Sequence, residues 1–218
     1  MIKLALPVCL LLLAMAVRSE EAPSLTSLVL GYGAIREASL PEGYGGPELQ
    51  DALLACLHRY NSFEPSTPIP NGAFSEMIVV LEKRNSLERG AVALLGSELQ
   101  VEAAEYLRGA PVSYEWEGYA DGPLGEAGHA REYLSDNPET RLKPFLVALM
   151  LHRLRAAWEC LAVNGDEELA AQALEVYSLW SAEAQSSDDP LLVLIATEID
   201  TMASAYVLEP RLDWPGAR

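Results

Sequence analysis

The chain has 218 residues, of which 32 are acidic and 15 basic, and half are apolar. That length buries a sizeable core as one domain or two small ones, and a mix of 50% apolar and 22% charged residues excludes disorder throughout. A formal charge of −17 excludes nucleic acid as a general partner, because phosphate neutralisation needs clustered Lys and Arg, and it disfavours adsorption to anionic lipid.

Met1-Ile2-Lys3 supplies a short positive start, residues 4–15 form an uncharged apolar run, and Ala14-Met15-Ala16 is a small-x-small cleavage signal. Together they predict a cleaved secretory signal peptide over residues 1–16. The run of about twelve residues falls short of the roughly 20 that span a bilayer, and Pro7 interrupts it. Cys9 lies early in the run, whereas a lipidated cysteine follows it. Cleavage removes Lys3 and leaves 14 basic against 32 acidic residues, a net of −18. The expected destination is periplasmic or extracellular, with no stable membrane insertion afterwards, since no later uncharged stretch approaches spanning length. Cys56 and Cys160 then share a compartment that permits disulfides.

Residues 17–46, with Gly31, Gly33, Gly43, Gly45 and Gly46, predict an irregular arm carrying at most one short element. A single all-helical domain is expected over 47–210, with a sub-boundary at 111–122, and a tail over 211–218. Pro47 opens a helix whose Leu49, Leu53, Cys56 and Tyr60 share one face, and Pro65, Pro68 and Pro70 stop it. Residues 73–109 predict two or three shorter helices. Their faces are Met77, Val80 and Leu81; then Leu87, Ala91, Leu94 and Leu95; then Leu99, Ala103 and Leu107. The run 77–81 also suits a strand, although no second strand pattern lies beside it.

Pro123 opens a helix through Leu134, stopped by Asn137-Pro138. A long apolar helix follows from about residue 144 to 163, closed by Asn164-Gly165. Asp166 caps the next, with Leu169, Ala173, Val176, Tyr177 and Trp180 on one face. Asp188-Asp189-Pro190 stops that helix and caps the last, expected from Leu191 to about Leu208. The fold class is therefore all-α, with antiparallel helical hairpins stacked as an irregular α-solenoid or bundle. The stretch around Ala91-Val92-Ala93-Leu94-Leu95-Gly96 resembles a HEAT-type repeat over about 35 residues, and Tyr133-Leu134 before Asn137-Pro138 resembles the end of a tetratricopeptide repeat. The next such boundary, Asp189-Pro190, follows after 52 residues rather than about 34, so the resemblance is one of character only.

The long apolar helix carries four strongly polar residues: His152, Arg153, Arg155 and Glu159. At about 100° per residue, Arg155 and Glu159 fall within roughly 60° of His152, and Arg153 flanks them. One reading is a solvent strip with an i,i+4 ion pair; the other is a recognition stripe in which the arginines bind a carboxylate or phosphate and His152 donates. The first is the expectation, with Glu159 reaching solvent and Arg155→Ala costing only about 0.3–0.5 kcal/mol. Cys160 would then stand at the margin of the strip and Cys56 in the core, so no disulfide is expected between them.

Tyr114, Trp116 and Tyr119 lie between Pro111 and Pro123, interleaved with Glu115 and Glu117. Such rings either plug the groove between helical layers or form a partner-binding patch. Glu126 and His129 stand at i,i+3, but a di-iron bundle needs that pair twice. With three histidines and no CxxC, no metal or cofactor is expected. Neither a Gly-x-Ser-x-Gly elbow nor a phosphate loop occurs, and no catalytic residue is assigned.

Residues 156–210 contain no Lys or Arg but eleven acids, predicting uniformly negative outer faces on the final hairpin that suit solubility, with a basic protein partner or loosely held divalent cations as the functional alternatives. The expected function is that of a secreted or periplasmic binding or scaffold module that mediates protein–protein interaction without catalysis. The alternative is a small helical hydrolase or anionic-ligand-binding protein using His152, Arg153, Arg155 and Glu159. The two diverge on whether those four side chains line a pocket or face open solvent.

Overall fold

The computed structural model describes residues 24–31, 46–113, 115–206 and 214–215, and over these the protein is all-α. The expected signal peptide, most of the arm, Tyr114 and most of the tail lie outside the described residues.

Helix α1 (Leu25–Leu30) is the one short element expected in the arm, and it belongs to the core: Leu25, Leu28, Val29 and Leu30 are all buried. Its orphan N-terminal donors are satisfied from two directions. The Ser24 hydroxyl accepts from the Ser27 N–H at 3.0 Å. The Glu198 carboxylate accepts from the Leu25 N–H at 3.1 Å, the Thr26 N–H at 2.7 Å and the Thr26 hydroxyl at 2.7 Å.

Helix α2 (Pro47–Asn61) starts at Pro47 as its face predicts and buries Leu53 and Cys56. Helix α3 (Ser75–Leu95) corrects the expectation of shorter helices there. The polar stretch Glu82-Lys83-Arg84-Asn85-Ser86 contains neither Pro nor Gly, so nothing interrupts the hydrogen-bond ladder, and one helix of 21 residues runs through it. The strand alternative for 77–81 falls with it. A single 3₁₀ turn at Ser97–Leu99 leads into α4 (Gln100–Gly109).

Helix α5 (Asp121–Asp136) begins two residues before Pro123, whose missing N–H is harmless in the first turn. Helix α6 (Lys143–Asn164) ends at Gly165 with φ 78°, a left-handed cap. Helix α7 (Glu167–Gln185) is capped by Asp166, which accepts from the Leu169 N–H at 3.2 Å. Ala173 and Tyr177 of its predicted face are buried, whereas Leu169 is 44% exposed. Helix α8 (Pro190–Thr201), capped by Asp189, stops well before Leu208 because the backbone turns extended at Met202.

Helix α6 is the centre of the fold. α5 and α7 pack along it, and α1, α3 and α8 also touch it. Short links at 137–142 and 165–166 force α5 and α7 antiparallel to α6. Sixteen of its 22 residues are buried, including His152, Arg153, Arg155 and Glu159, while Lys143 in its first turn stays exposed. Cys56 and Cys160 are both free and buried, Cys56 in the main core and Cys160 in a smaller cluster with Ala120, Ala157, Leu161, Ala170 and Ala173. Cys160 is therefore not at a polar margin; burial, and next the Glu159 charge, push its thiol up to about 11. Among the described residues no helix is long and apolar enough to cross a membrane.

Close approach fixes α1 on α3. A Cβ at Gly90 would collide with the Val29 carbonyl, so the two backbones touch where only glycine fits. Gly128, on α5, has open space around its Cβ position. Gly90→Ala is expected to lower the unfolding free energy in urea by about 3 kcal/mol, whereas Gly128→Ala raises it by about 0.5–1 kcal/mol. Tolerance of Gly90→Ala would show that α1 does not lie where it is described.

Candidate functional site, a cleft beneath Trp116

The four polar residues of α6 do not form one stripe. Arg153 and Arg155 are two positions apart, hence about 200° around the helix, and point into different surroundings. Each has its own carboxylate.

Arg153 meets Glu126 of α5, Nε to Oε2 at 2.6 Å, with both side chains about 5% exposed. The Trp116 indole N–H donates to the other Glu126 oxygen at 3.2 Å, and the Trp116 ring lies 5.0 Å from the Arg153 guanidinium carbon. Arg153 Nη1 lies 3.0 Å from His152 Nδ1. Arginine only donates, so Nδ1 accepts and the imidazole proton sits on Nε2. Burial first, then the Arg153 and Arg155 charges, hold the His152 pKa well below 6.5, and the ring is neutral at pH 7.

Above this pair opens a cleft of about 540 Å³. It is lined by Val79, Lys83 and Leu87 of α3 and by Val112, Trp116 and Tyr206. Glu126 and Arg153 lie at its floor, and Glu82, Glu115 and Glu117 at its exposed mouth. Lys83 donates from Nζ to the Ser113 carbonyl at 2.9 Å. The 116–119 turn aims the rings: Glu117 has φ 49° and Gly118 φ 80°, and the Tyr119 N–H closes on the Trp116 carbonyl at 2.7 Å. Trp116 turns inward and Tyr119 stays 61% exposed. A Cβ at Gly122 would strike the Trp116 ring, so the first turn of α5 is bare where the indole rests. Of the three aromatic candidates, Trp116 thus lines the cleft, Tyr119 stands outside it, and Tyr114 is outside the described residues.

The second pair holds the chain beyond α8. Arg155 donates to the carbonyls of Ile199 and Met202, with Nε 3.4 Å from Glu159 Oε1 and the Trp214 ring 5.0 Å away. Glu159 accepts from the Ser204 hydroxyl at 2.6 Å, the Ala205 N–H at 2.7 Å and the Tyr206 N–H at 3.0 Å. This overturns the solvent-strip expectation. Glu159 is 3% exposed and Arg155 2%, because α8 and the segment after it cover the side of α6 that sequence leaves to water. The two pairs meet through Tyr206, whose hydroxyl accepts from the Gly118 N–H at 2.6 Å and whose ring lies 5.3 Å from that of Trp116.

Of the four sequence candidates only Arg153 lines the cleft; His152, Arg155 and Glu159 are structural partners behind it. Sequence reasoning missed Lys83, Tyr206 and the role of Glu126. The signal for Glu126 was its place among Pro123, Ala127, Ala130 and Leu134, an acid on an apolar face that demands a buried cation. Its i,i+3 neighbour His129 instead stacks on Tyr106 at 5.2 Å. Among the described residues no group of three His, Cys, Asp or Glu side chains is placed to hold a metal ion.

The acidic C-terminal region is also less uniform than its composition predicts. Glu198 caps α1, Asp200 accepts from the Tyr177 hydroxyl and from Gln185 at 2.6 Å, Asp166 and Asp189 cap helices, and Glu183 pairs with Lys143 at 2.7 Å. Together with Glu159, these acids act as acceptors at fixed places, leaving Glu167, Glu168, Glu175 and Asp188 exposed.

Arg155→Ala strands a buried carboxylate and is expected to cost about 3–5 kcal/mol in chemical denaturation, not a few tenths. His152 gives a pH signature. Its folded pKa lies below the unfolded 6.5, so the unfolded chain binds the extra proton and stability is lost as pH falls below about 6.5. Relative to His152→Gln, wild type should lose up to about 1.4 kcal/mol per pH unit in that range; parallel curves would place His152 in water.

Comparison with protein-family models, with curated proteins and with solved structures finds no match to this chain.

Proposed function

We propose that the protein is an exported helical binding module, an irregular stack of antiparallel hairpins, that takes a protein partner in the cleft beneath Trp116 and performs no catalysis. The signal-peptide pattern supports export to a periplasmic or extracellular space. The observation that carries the binding reading is the cleft itself: an apolar and aromatic recess whose Trp116 wall is held rigid by the buried Arg153–Glu126 pair. Rigid aromatic side chains beside a recess are the usual energetic anchors of protein interfaces.

The alternative, an anionic ligand or a hydrolytic site on the α6 residues, draws on Arg153 alone, since the other three do not reach the cleft. Arg153 is already engaged by Glu126 and His152 and covered by Trp116. An incoming anion would have to displace a buried carboxylate, which makes this the weaker reading.

Two measurements test the proposal. The intact mass of the protein recovered from its export compartment should correspond to a chain beginning at Val17; a retained residue 1–16 segment would contradict export by cleavage. A photo-crosslinking residue at Glu82, at the mouth, should trap a defined protein adduct that Val79→Trp abolishes, while the same probe at Glu175 on α7 traps none. Equal trapping at both positions, or trapping unaffected by the filled cleft, would overturn the proposal.

A further inference from the structure

We infer that the occupant of the cleft is a basic segment of the partner, with an apolar residue that enters the recess flanked by Lys or Arg side chains that meet its mouth. This rests on the cleft being the binding site and names the chemistry it selects.

The charged residues lining the cleft are four acids, Glu82, Glu115, Glu117 and Glu126, and two cations, Lys83 and Arg153. They divide by depth. Arg153 and Glu126 neutralise each other at the floor. Lys83 donates to the Ser113 carbonyl, and burial lowers its affinity for a proton. At the mouth stand Glu82, Glu115 and Glu117, all exposed, and none of the ion pairs formed among the described residues involves them. Exposed Glu76 continues that line, since it falls two turns from Lys83 on the same face of α3.

An anionic segment would meet three exposed carboxylates that form no ion pair among the described residues, and both cations behind them are engaged. A neutral apolar segment would fill the walls but leave the mouth indifferent to it. A basic segment satisfies both layers. Its apolar side chain packs between Val79, Leu87, Val112 and Trp116, and the methylene stems of flanking Lys or Arg lie along the walls with their charges among the glutamates.

Selection of a random peptide display library on the whole protein, counter-selected on Val79→Trp, tests this. Val112→Trp serves as a second filled cleft, and both variants are first checked for a native melting transition. Cleft-dependent peptides should carry an apolar residue flanked by Lys or Arg. Their affinity should fall about ten-fold or more for Glu82→Gln/Glu115→Gln/Glu117→Gln, and under about two-fold for the charge-matched Glu167→Gln/Glu168→Gln/Glu175→Gln on α7. Cleft-dependent peptides that are acidic or neutral, or an equal loss in the two triple variants, would overturn the basic-segment inference and leave the cleft as a binding site. Failure to select any cleft-dependent peptide would overturn both.

Discussion

A stretch of helix buried on every side cannot leave a charge unanswered, and the buried part of α6, residues 145–161, carries three charges and an imidazole. Desolvating an arginine or a glutamate is unfavourable by several kcal/mol unless the interior supplies partners of fitting geometry. The parts of the molecule that lack helical periodicity are placed by that requirement. Glu126 answers Arg153 and brings the Trp116 indole with it. Glu159 answers backbone N–H groups of the segment after α8, and Arg155 answers the carbonyls of Ile199 in the last turn of α8 and of Met202 just beyond it. Loop and C-terminal segment, weak in intrinsic structure, are thereby fixed against the most rigid element of the fold.

The consequence for function is geometric. Trp116 and Tyr206 come from segments 90 residues apart, yet both line one cleft because each is tied to a different buried pair on the same helix. Buried ion pairs are poor sources of net stability, since well-packed apolar residues of similar volume often do as well. What apolar replacements could not supply here is the set of directed hydrogen bonds to an indole, a hydroxyl and two amides. The pairs specify where the walls stand more than how strongly the core holds.

Much of the helical framework was legible from punctuation. Pro47, Asn137-Pro138, Gly165, Asp166 and Asp189 mark helix ends because a missing donor, a left-handed residue or a capping carboxylate acts locally, whatever the tertiary context. The fused α3 shows the limit of that approach: a polar stretch without Pro or Gly is not a break. The candidate site was legible only in its raw materials. His152, Arg153, Arg155 and Glu159 were visible as polar positions on an apolar helix, but hydropathy does not say which neighbours cover which side. Assigning their side to solvent ignored that Arg153 and Arg155 diverge around the helix. Glu126, Glu159 and Glu198 were legible as charges and not as acceptors, because most of their partners, Arg153, the Trp116 indole, two hydroxyls and four backbone amides, are brought near only by folding.

The most direct measurement is native-state hydrogen exchange at the backbone amides of Ala205 and Tyr206. Both lie beyond α8, where a frayed end exchanges almost freely, and both donate to the buried Glu159 carboxylate. If α6 organises the molecule as described, these two amides exchange only on large-scale opening, at rates close to those of α6 itself. Exchange within about ten-fold of the rate of an unstructured peptide would show that the buried charges of α6 do not hold the C-terminal segment, and the Tyr206 wall of the cleft would fall with them.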